Sequence, residues 1–355
     1  MLFRSVGQPV MMDIAVRPAD LDSDAEQLVN LLARHLSVDS NSARFRWLYR
    51  DGVCGPARVW VTVDKHTGRI VGSAAAYPRM LSFSGKDKHG FVLGDFCMDE
   101  GYRSLGPSLQ LQRACLAALE ESPFEFMYDF PSRSMMAIYK RLGMEQCGEL
   151  VRWAKPLRAE QRLLAFVRSK PLARGLSILA NPLLARRGWR GEKSLCDLQV
   201  QEGPCGDEFS QLDQEISTNP GVRTSRSAGY LNWRYFRAPA ARYEILTARR
   251  AGKLVGYVVS VSESEDPRIV DLCSIEEHGV VARLLFGAVE RLRQQGAVTV
   301  SMNAGGAHPW SKVFERAGFQ RREGSPIVAA VAQGSAISKT EFERNWFVMQ
   351  GERDS

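Results

Sequence analysis

The sequence predicts an α/β fold of the α+β mixed-sheet kind, built as two tandem copies of one domain. Three observations carry this. The first is a repeat: FRWLYRDGVCGPARVWVTVDKHTGRIVGSAAAYPR (45–79) resembles YLNWRYFRAPAARYEILTARRAGKLVGYVVSVSE (230–263). Each opens on a Trp-x-Tyr unit (Trp47/Tyr49, Trp233/Tyr235) and runs through a strand, a glycine-bearing basic turn and a second strand. The second is that IYKRLGM (138–144) lines up with VFERAGF (313–319), each an amphipathic helix end, a capping glycine and a strand entry. The third is element order: strands come first, and strand–helix alternation follows, so the sheet is antiparallel early and parallel late.

In the first copy the hairpin turns at Gly68, as the second turns at Gly252. The pattern predicts a helix over 24–36, two hairpin strands, a strand over 91–98, a helix over 109–120, a strand over 126–130, a helix over 132–142 and a strand over 148–154. In the second copy a helix over 280–294 and a strand over 298–302 take the corresponding places. The expected divisions are a first domain over 12–157, a basic connector over 158–197, a second domain over 198–332 and a C-terminal tail over 333–355.

Composition bounds the class. With 45% hydrophobic and 25% charged residues the chain reads as an ordinary globular protein. No run approaches the roughly 18–20 apolar residues of a spanning helix, and the first twenty residues lack a basic head followed by an apolar run. The seven cysteines form no C-x-x-C pair, are odd in number and are scattered, which reads as free thiols in a reducing, cytoplasmic setting. The five histidines are dispersed, so no metal is expected. The formal charge of +7 is local: ten basic residues lie between Lys155 and Lys193, opposed by Glu160 and Glu192. Pro171 and Pro182 divide this stretch into short amphipathic segments, which either pack between the domains or lie on an anionic membrane. No nucleic-acid module accompanies the charge, so no nucleic acid is expected as a partner.

Chemistry concentrates at GDFCMDEGYRSLGPSLQLQR, 94–113. A strand enters a small, basic turn holding Arg103, Ser104, Leu105, Gly106 and Ser108, and a helix follows. Such a turn presents unpaired backbone N–H groups, and the helix end adds partial positive charge, which together suit a pyrophosphate. Arg103 adds charge, Gly106 admits close backbone approach and Ser108 offers a hydroxyl. Pro107 removes one donor but suits the first turn of a helix.

Met98-Asp-Glu-Gly-Tyr-Arg103-Ser-Leu-Gly106-Pro-Ser108, with Ile138-Tyr139-Lys140-Arg141-Leu142-Gly143-Met144 downstream, resembles the GNAT superfamily of acyl-CoA N-acyltransferases. The family's usual proline is Glu100 here, and its last small residue is Ser108. The resemblance implies two GNAT-like domains, each a mixed antiparallel/parallel sheet flanked by helices. It implies acetyl-CoA or another acyl-CoA as co-substrate, its pyrophosphate on the turn and its pantetheine arm along Phe96, Cys97 and Met98. Tyr139 would protonate the leaving thiolate of a direct transfer to an amine. Asp95 and Asp129 are the candidates for the general base, with ordered water alone as the alternative.

The second copy lacks these tools. VDLCSIEEHGVVARLLFGAVERL holds no Arg-x-x-Gly-x-Gly/Ala, and Phe314 stands where Tyr139 would be. It reads as a degenerate copy that supports the sheet or walls the acceptor site. The expected reaction is acylation, most simply acetylation, of a small polar amine or amino sugar. The rivals are a Fem-like aminoacyl or long-chain transfer from a carrier-bound donor, and a non-catalytic CoA-binding or membrane-associated regulator. The Trp-x-Tyr units are either core packing or an aromatic wall for the acceptor.

Overall fold

A computed structural model describes residues 13–37, 39–120, 123–157, 196–262, 267–275 and 277–353. The first half runs β1 (Ile14–Pro18), α1 (Ala25–His35), α2 (Ser42–Phe45) continuing into a π-helical turn (Arg46–Arg50), and β2 (Arg58–Asp64). Then come β3 (Ile70–Phe83), β4 (Lys86–Met98), α3 (Leu105–Leu116), β5 (Phe124–Asp129), α4 (Arg133–Arg141) and β6 (Glu145–Pro156). The second half repeats the plan: β7 (Asp197–Val200), a helix Asp207–Ser217, β8 (Val222–Thr224), and a helix Ala228–Leu231 with its own π-helical turn (Asn232–Phe236). It continues through β9 (Tyr243–Arg250), β10 (Lys253–Val261), β11 (Arg268–Ser274), a helix His278–Gln294, β12 (Thr299–Gly305), a helix Ser311–Arg316 and β13 (Gln320–Val331).

Local chemistry sets these boundaries. Gly68 and Gly252 turn the hairpins at positive φ, and Gly143 and Gly318 close their helices the same way. Ser132 caps α4 by accepting from the Met135 N–H. The helix after the Arg103 turn begins at Leu105, four residues before the expected Leu109. Ser104 is its N-cap in extended conformation, and Gly106 and Pro107 form its first turn, where a missing proline N–H costs nothing.

All strands join one sheet in the order β1-β2-β3-β4-β5-β13-β6-β12-β11-β10-β9-β7, with β8 on β3. Among the described strands, β4–β5 and β11–β12 are the parallel pairs. The halves are interlocked: β13 lies between β5 and β6, and β6 lies between β13 and β12. Each half thus lends its last strand to the parallel pair of the other. The core follows. One cluster joins Trp47, Tyr49 and Tyr77 to Trp233, Tyr235 and Val259 across both halves. Two others lie under the helices of each half.

At the centre, the Trp-x-Tyr units meet in the core. The Trp47 and Trp233 rings stack at 5.2 Å, and each indole N–H donates to the other tryptophan's carbonyl, at 2.8 and 2.9 Å. Both indoles are buried in the core, and Trp47 also lines a chamber beside Arg234.

All seven cysteines are free and six are buried. Among the described residues no helix is long and apolar enough to cross a membrane. The basic connector, with its amphipathic segments and membrane option, lies outside the described residues over 158–195. Its first cation, Lys155, is described and is buried in β6, where Nζ donates to the Ala317 carbonyl at 2.6 Å. Burial lowers its pKa to about 8, so Lys155 serves the interior and not an anionic surface. The stretch 333–353 packs back onto the molecule through Ile337, Phe342 and the run Trp346–Met349, all buried.

Candidate acyl-CoA site

Beyond Val92, β4 parts from β5: the parallel register ends at Val92↔Tyr128, while β4 runs on to Met98. Leu93–Met98 therefore face an open wedge, with backbone groups aimed into it and not at a neighbouring strand. On its other edge β4 bulges against β3 between Ser73 and Ala75, and Asp95 takes a φ of 48° there. The wedge opens into a cavity of about 700 Å³. Its walls include Asp95, Phe96, Cys97, Met98, Arg103 and Ser108 on the β4–α3 side and Asp129, Ser132, Met135 and Tyr139 on the β5–α4 side.

Two ends of this cavity differ in chemistry. At one end is the turn. Arg103 is exposed and donates to the Met98 carbonyl through Nε and Nη2 at 3.3 and 3.1 Å, which holds the guanidinium beside the first turn of α3. Asp99 sits close by, but His35, Arg34 and Arg69 surround its carboxylate at 2.6, 3.0 and 3.2 Å. Although burial opposes it, those partners hold the Asp99 pKa below its ordinary value. Gly106 faces open space: a Cβ there would meet nothing within 4 Å.

At the other end Tyr139, on α4, is 1% exposed and donates its hydroxyl to Asp129 Oδ2 at 2.6 Å. Gln112 Nε2, from α3, donates to the same phenol at 3.3 Å. Burial raises the Asp129 pKa to about 6, against the pull of Tyr139, the Phe130 N–H and the charge of Arg353. Tyr139 is pushed well above its ordinary value by burial and then by Asp129. The pair is a carboxyl that titrates near neutrality, joined to a phenol that stays protonated.

Residues 15–147 match the model of the acetyltransferase (GNAT) domain. This part of the chain is a GNAT acetyltransferase domain. No curated protein sequence matches the chain. Among solved structures, a GCN5-related N-acetyltransferase from Anabaena variabilis aligns with a TM-score of 0.66 at 12% identity, over 90% of this chain and 73% of that one. A tandem GNAT protein from the clavulanic acid biosynthesis pathway aligns at 0.56 and 15%, over 91% and 100%. The N-myristoyltransferase of Saccharomyces cerevisiae with bound myristoyl-CoA aligns at 0.56 and 10%, over 92% and 84%. At such identities the likeness is one of fold, and it extends over both halves.

Within the GNAT domain, the candidates named from sequence fall into three groups. Phe96, Cys97, Met98, Arg103, Ser108, Asp129 and Tyr139 line one cavity. Ser104, Leu105 and Gly106 lie outside that lining, exposed on the adjoining first turn of α3. Asp95 lines the cavity too, but both its oxygens are occupied. Arg44 donates at 2.7 and 3.0 Å, and the hydroxyls of Tyr49 and Tyr77 each donate at 2.8 Å.

Several neighbours escaped the sequence reading. Gln112 stands four residues after Ser108 in an apolar helix, a buried polar residue whose signal is that spacing. Tyr49 belongs to the Trp-x-Tyr unit, whose repetition was visible while its partner was not. Arg44, His35 and Arg353 gave no sequence signal, because each arrives from an element distant in the chain.

Proposed function

We propose that the protein transfers an acetyl group from CoA directly to the amine of a small polar metabolite, using the N-terminal wedge as its single CoA site. The observation that carries this reading is the Asp129–Tyr139 hydrogen bond on the wall of the wedge beside β4, with an anion-suited turn at the other end of the same cavity. Pyrophosphate would rest on the first turn of α3 beside Arg103. The N–H groups of Leu105 and Gly106 are free of intrahelical partners by position, whereas Pro107 has none to give. The pantetheine arm would bond the unpaired edge of β4 along Phe96–Met98.

The amine attacks the thioester carbonyl, and the C–S bond breaks as the C–N bond forms. The Asp129 carboxylate accepts the proton that the nitrogen sheds. Tyr139 gives its proton to the departing thiolate, and the Asp129 carboxyl returns one to the phenolate along the existing hydrogen bond. Asp95 acts as a positioning residue: Oδ2 accepts from Arg44, Tyr49 and Tyr77, Oδ1 accepts from Arg44, and these bonds fix the bulge of β4. The second copy would support the sheet and wall the acceptor side without binding CoA.

Calorimetric titration with acetyl-CoA tests this. One site per chain, lost in Gly106→Glu, is expected. Two sites, or a site untouched by Gly106→Glu, would overturn the assignment. No binding by folded protein would transfer the donor role to a carrier-bound acyl group.

A further inference from the structure

Behind the wedge lies a second chamber of about 380 Å³. It adjoins the first: Asp39, Arg44, Ala240 and Arg353 line both. Its remaining lining comes from the second half and the C-terminal stretch, and includes Arg234, Arg268 and Tyr243. Four arginines thus converge on a space whose lining contains one carboxylate, that of Asp39. Asp95 answers the charge of Arg44 from the other side. Arg234 is fixed by the carbonyls of Gly351 and Arg353, at 2.8 and 3.0 Å, and lies over the Trp47 ring. Arg268 differs from these. Its Nε is buried, without a hydrogen-bond partner among the described residues.

A buried guanidinium nitrogen left unpaired is costly unless a ligand completes it. Arginine suits carboxylates and phosphates because its planar donors match their paired oxygens. The chamber is also close to the chemistry, since the charge of Arg353 is felt by Asp129. We infer that this chamber binds an anionic group of the acceptor, a carboxylate or a phosphate, so that the acceptor is an amine carrying its own negative charge. The amine then projects past Arg44 and Ala240 toward the wedge. This rests on the reading of the wedge as the thioester site, and it narrows the acceptor from any polar amine to an acidic one. It also gives the second half a part in specificity, through Arg234 and Arg268.

The test uses the full chain and two matched pairs of probes: β-alanine against β-alaninamide, and glucosamine 6-phosphate against glucosamine. Each is titrated calorimetrically into protein with and without saturating CoA. In at least one pair the anionic member is expected to bind at least about tenfold tighter than its neutral partner. Arg268→Gln should bring that ratio to within about twofold, whereas Arg268→Lys should retain part of it. Whether carboxylate or phosphate is preferred follows from which pair shows the larger gap. Equal binding within both pairs, binding of neither member, or a preference unmoved by Arg268→Gln would overturn the inference. If CoA itself fails to bind, the reading of the wedge fails, while the titrations without CoA still decide the chamber.

Discussion

The two halves of the molecule carry the same device in two conditions. In both, a strand parts from its parallel neighbour: β4 from β5 after Val92, and β11 from β12, whose register covers only Arg268 and Ile269. In both, an aspartate on the parting strand is held by the tyrosine of a Trp-x-Tyr unit and by an arginine, half-buried in the first half and buried in the second. Tyr49 and Arg44 hold Asp95, and Tyr235 and Arg226 hold Asp271. The difference is what lies in the gap. The first opens into the cavity with its turn and its Asp129–Tyr139 pair. The second is closed by the protein's own C-terminal stretch. The Gly305 N–H donates to the Val348 carbonyl at 3.0 Å, Ala304 bridges Met349, and the Asn303 amide donates to Gln350 at 2.6 Å. Gly351 passes so close that a Cβ would lie 2.2 Å from the Tyr235 hydroxyl. A scaffold retained for packing can thus keep the shape of a ligand slot, provided something else satisfies its backbone.

Four predictions sharpen or break this comparison. The largest effect concerns chemistry. Tyr139→Phe should lower kcat by about 10²–10³-fold with the dissociation constant for acetyl-CoA within about threefold. Phe314→Tyr, the reciprocal change in the second half, should add no activity; unchanged kcat in the first variant or new turnover in the second would dissolve the contrast. In wild type, kcat/KM should fall below pH 6, as Asp129 takes up a proton in the free enzyme.

Next come the paired aspartates. Asp271→Asn breaks a buried pair that also includes Glu352 and should cost about 3–5 kcal/mol in denaturant melts. Asp95→Asn should cost a similar amount but also lower kcat, because only its bulge lines an open site. A catalytic defect in Asp271→Asn would mean that the second gap works.

The glycines give a smaller, opposite pair. Gly351→Ala should lose about 1–3 kcal/mol through the clash with Tyr235. Gly106→Ala meets no neighbour in the folded chain and should keep its melting temperature within about 2 °C while weakening acetyl-CoA binding. Equal melting of the two variants would argue against a filled second slot.

The smallest effect is on stability through Asp129. Its folded pKa lies above the unfolded value, so the protonated form is favoured in the fold, and that contribution is complete below about pH 4 and lost as pH rises through about 6. Asp129→Asn should therefore raise the melting temperature at pH 8 by about 2–4 °C and leave it nearly unchanged at pH 4. A fall at pH 8 would show that the carboxylate is stabilising.

What the sequence revealed was local. Gly68, Gly252, Gly143 and Gly318 mark positions whose backbone conformation belongs to the residue itself. The shape of the turn at Arg103–Ser108 could likewise be read because helix ends carry their physics, whereas Tyr139 was singled out only by the resemblance of its segment to the GNAT pattern. The start of α3 was misjudged because Gly106 and Pro107 read as a turn, although both fit a first helical turn behind Ser104. Beyond reach was everything set by pairing at a distance. β6 and β13 follow identical glycine caps, and nothing in either strand states that its neighbour comes from the other half. The Asp95 carboxylate looked available as a base because Arg44, Tyr49 and Tyr77 arrive from three separate elements.

The interlocked strands also impose an order in time. When synthesis reaches residue 157, the turn, the wedge strands and Tyr139 all exist. Yet β5 still lacks its neighbour β13, which ends at Val331. At about 5–20 residues per second, the nascent chain carries a one-sided sheet edge for roughly ten to thirty seconds. During that interval one edge of β5 and both edges of β6 are open to wrong pairing, and a chaperone that shields them would be guarding a candidate site made first and finished last.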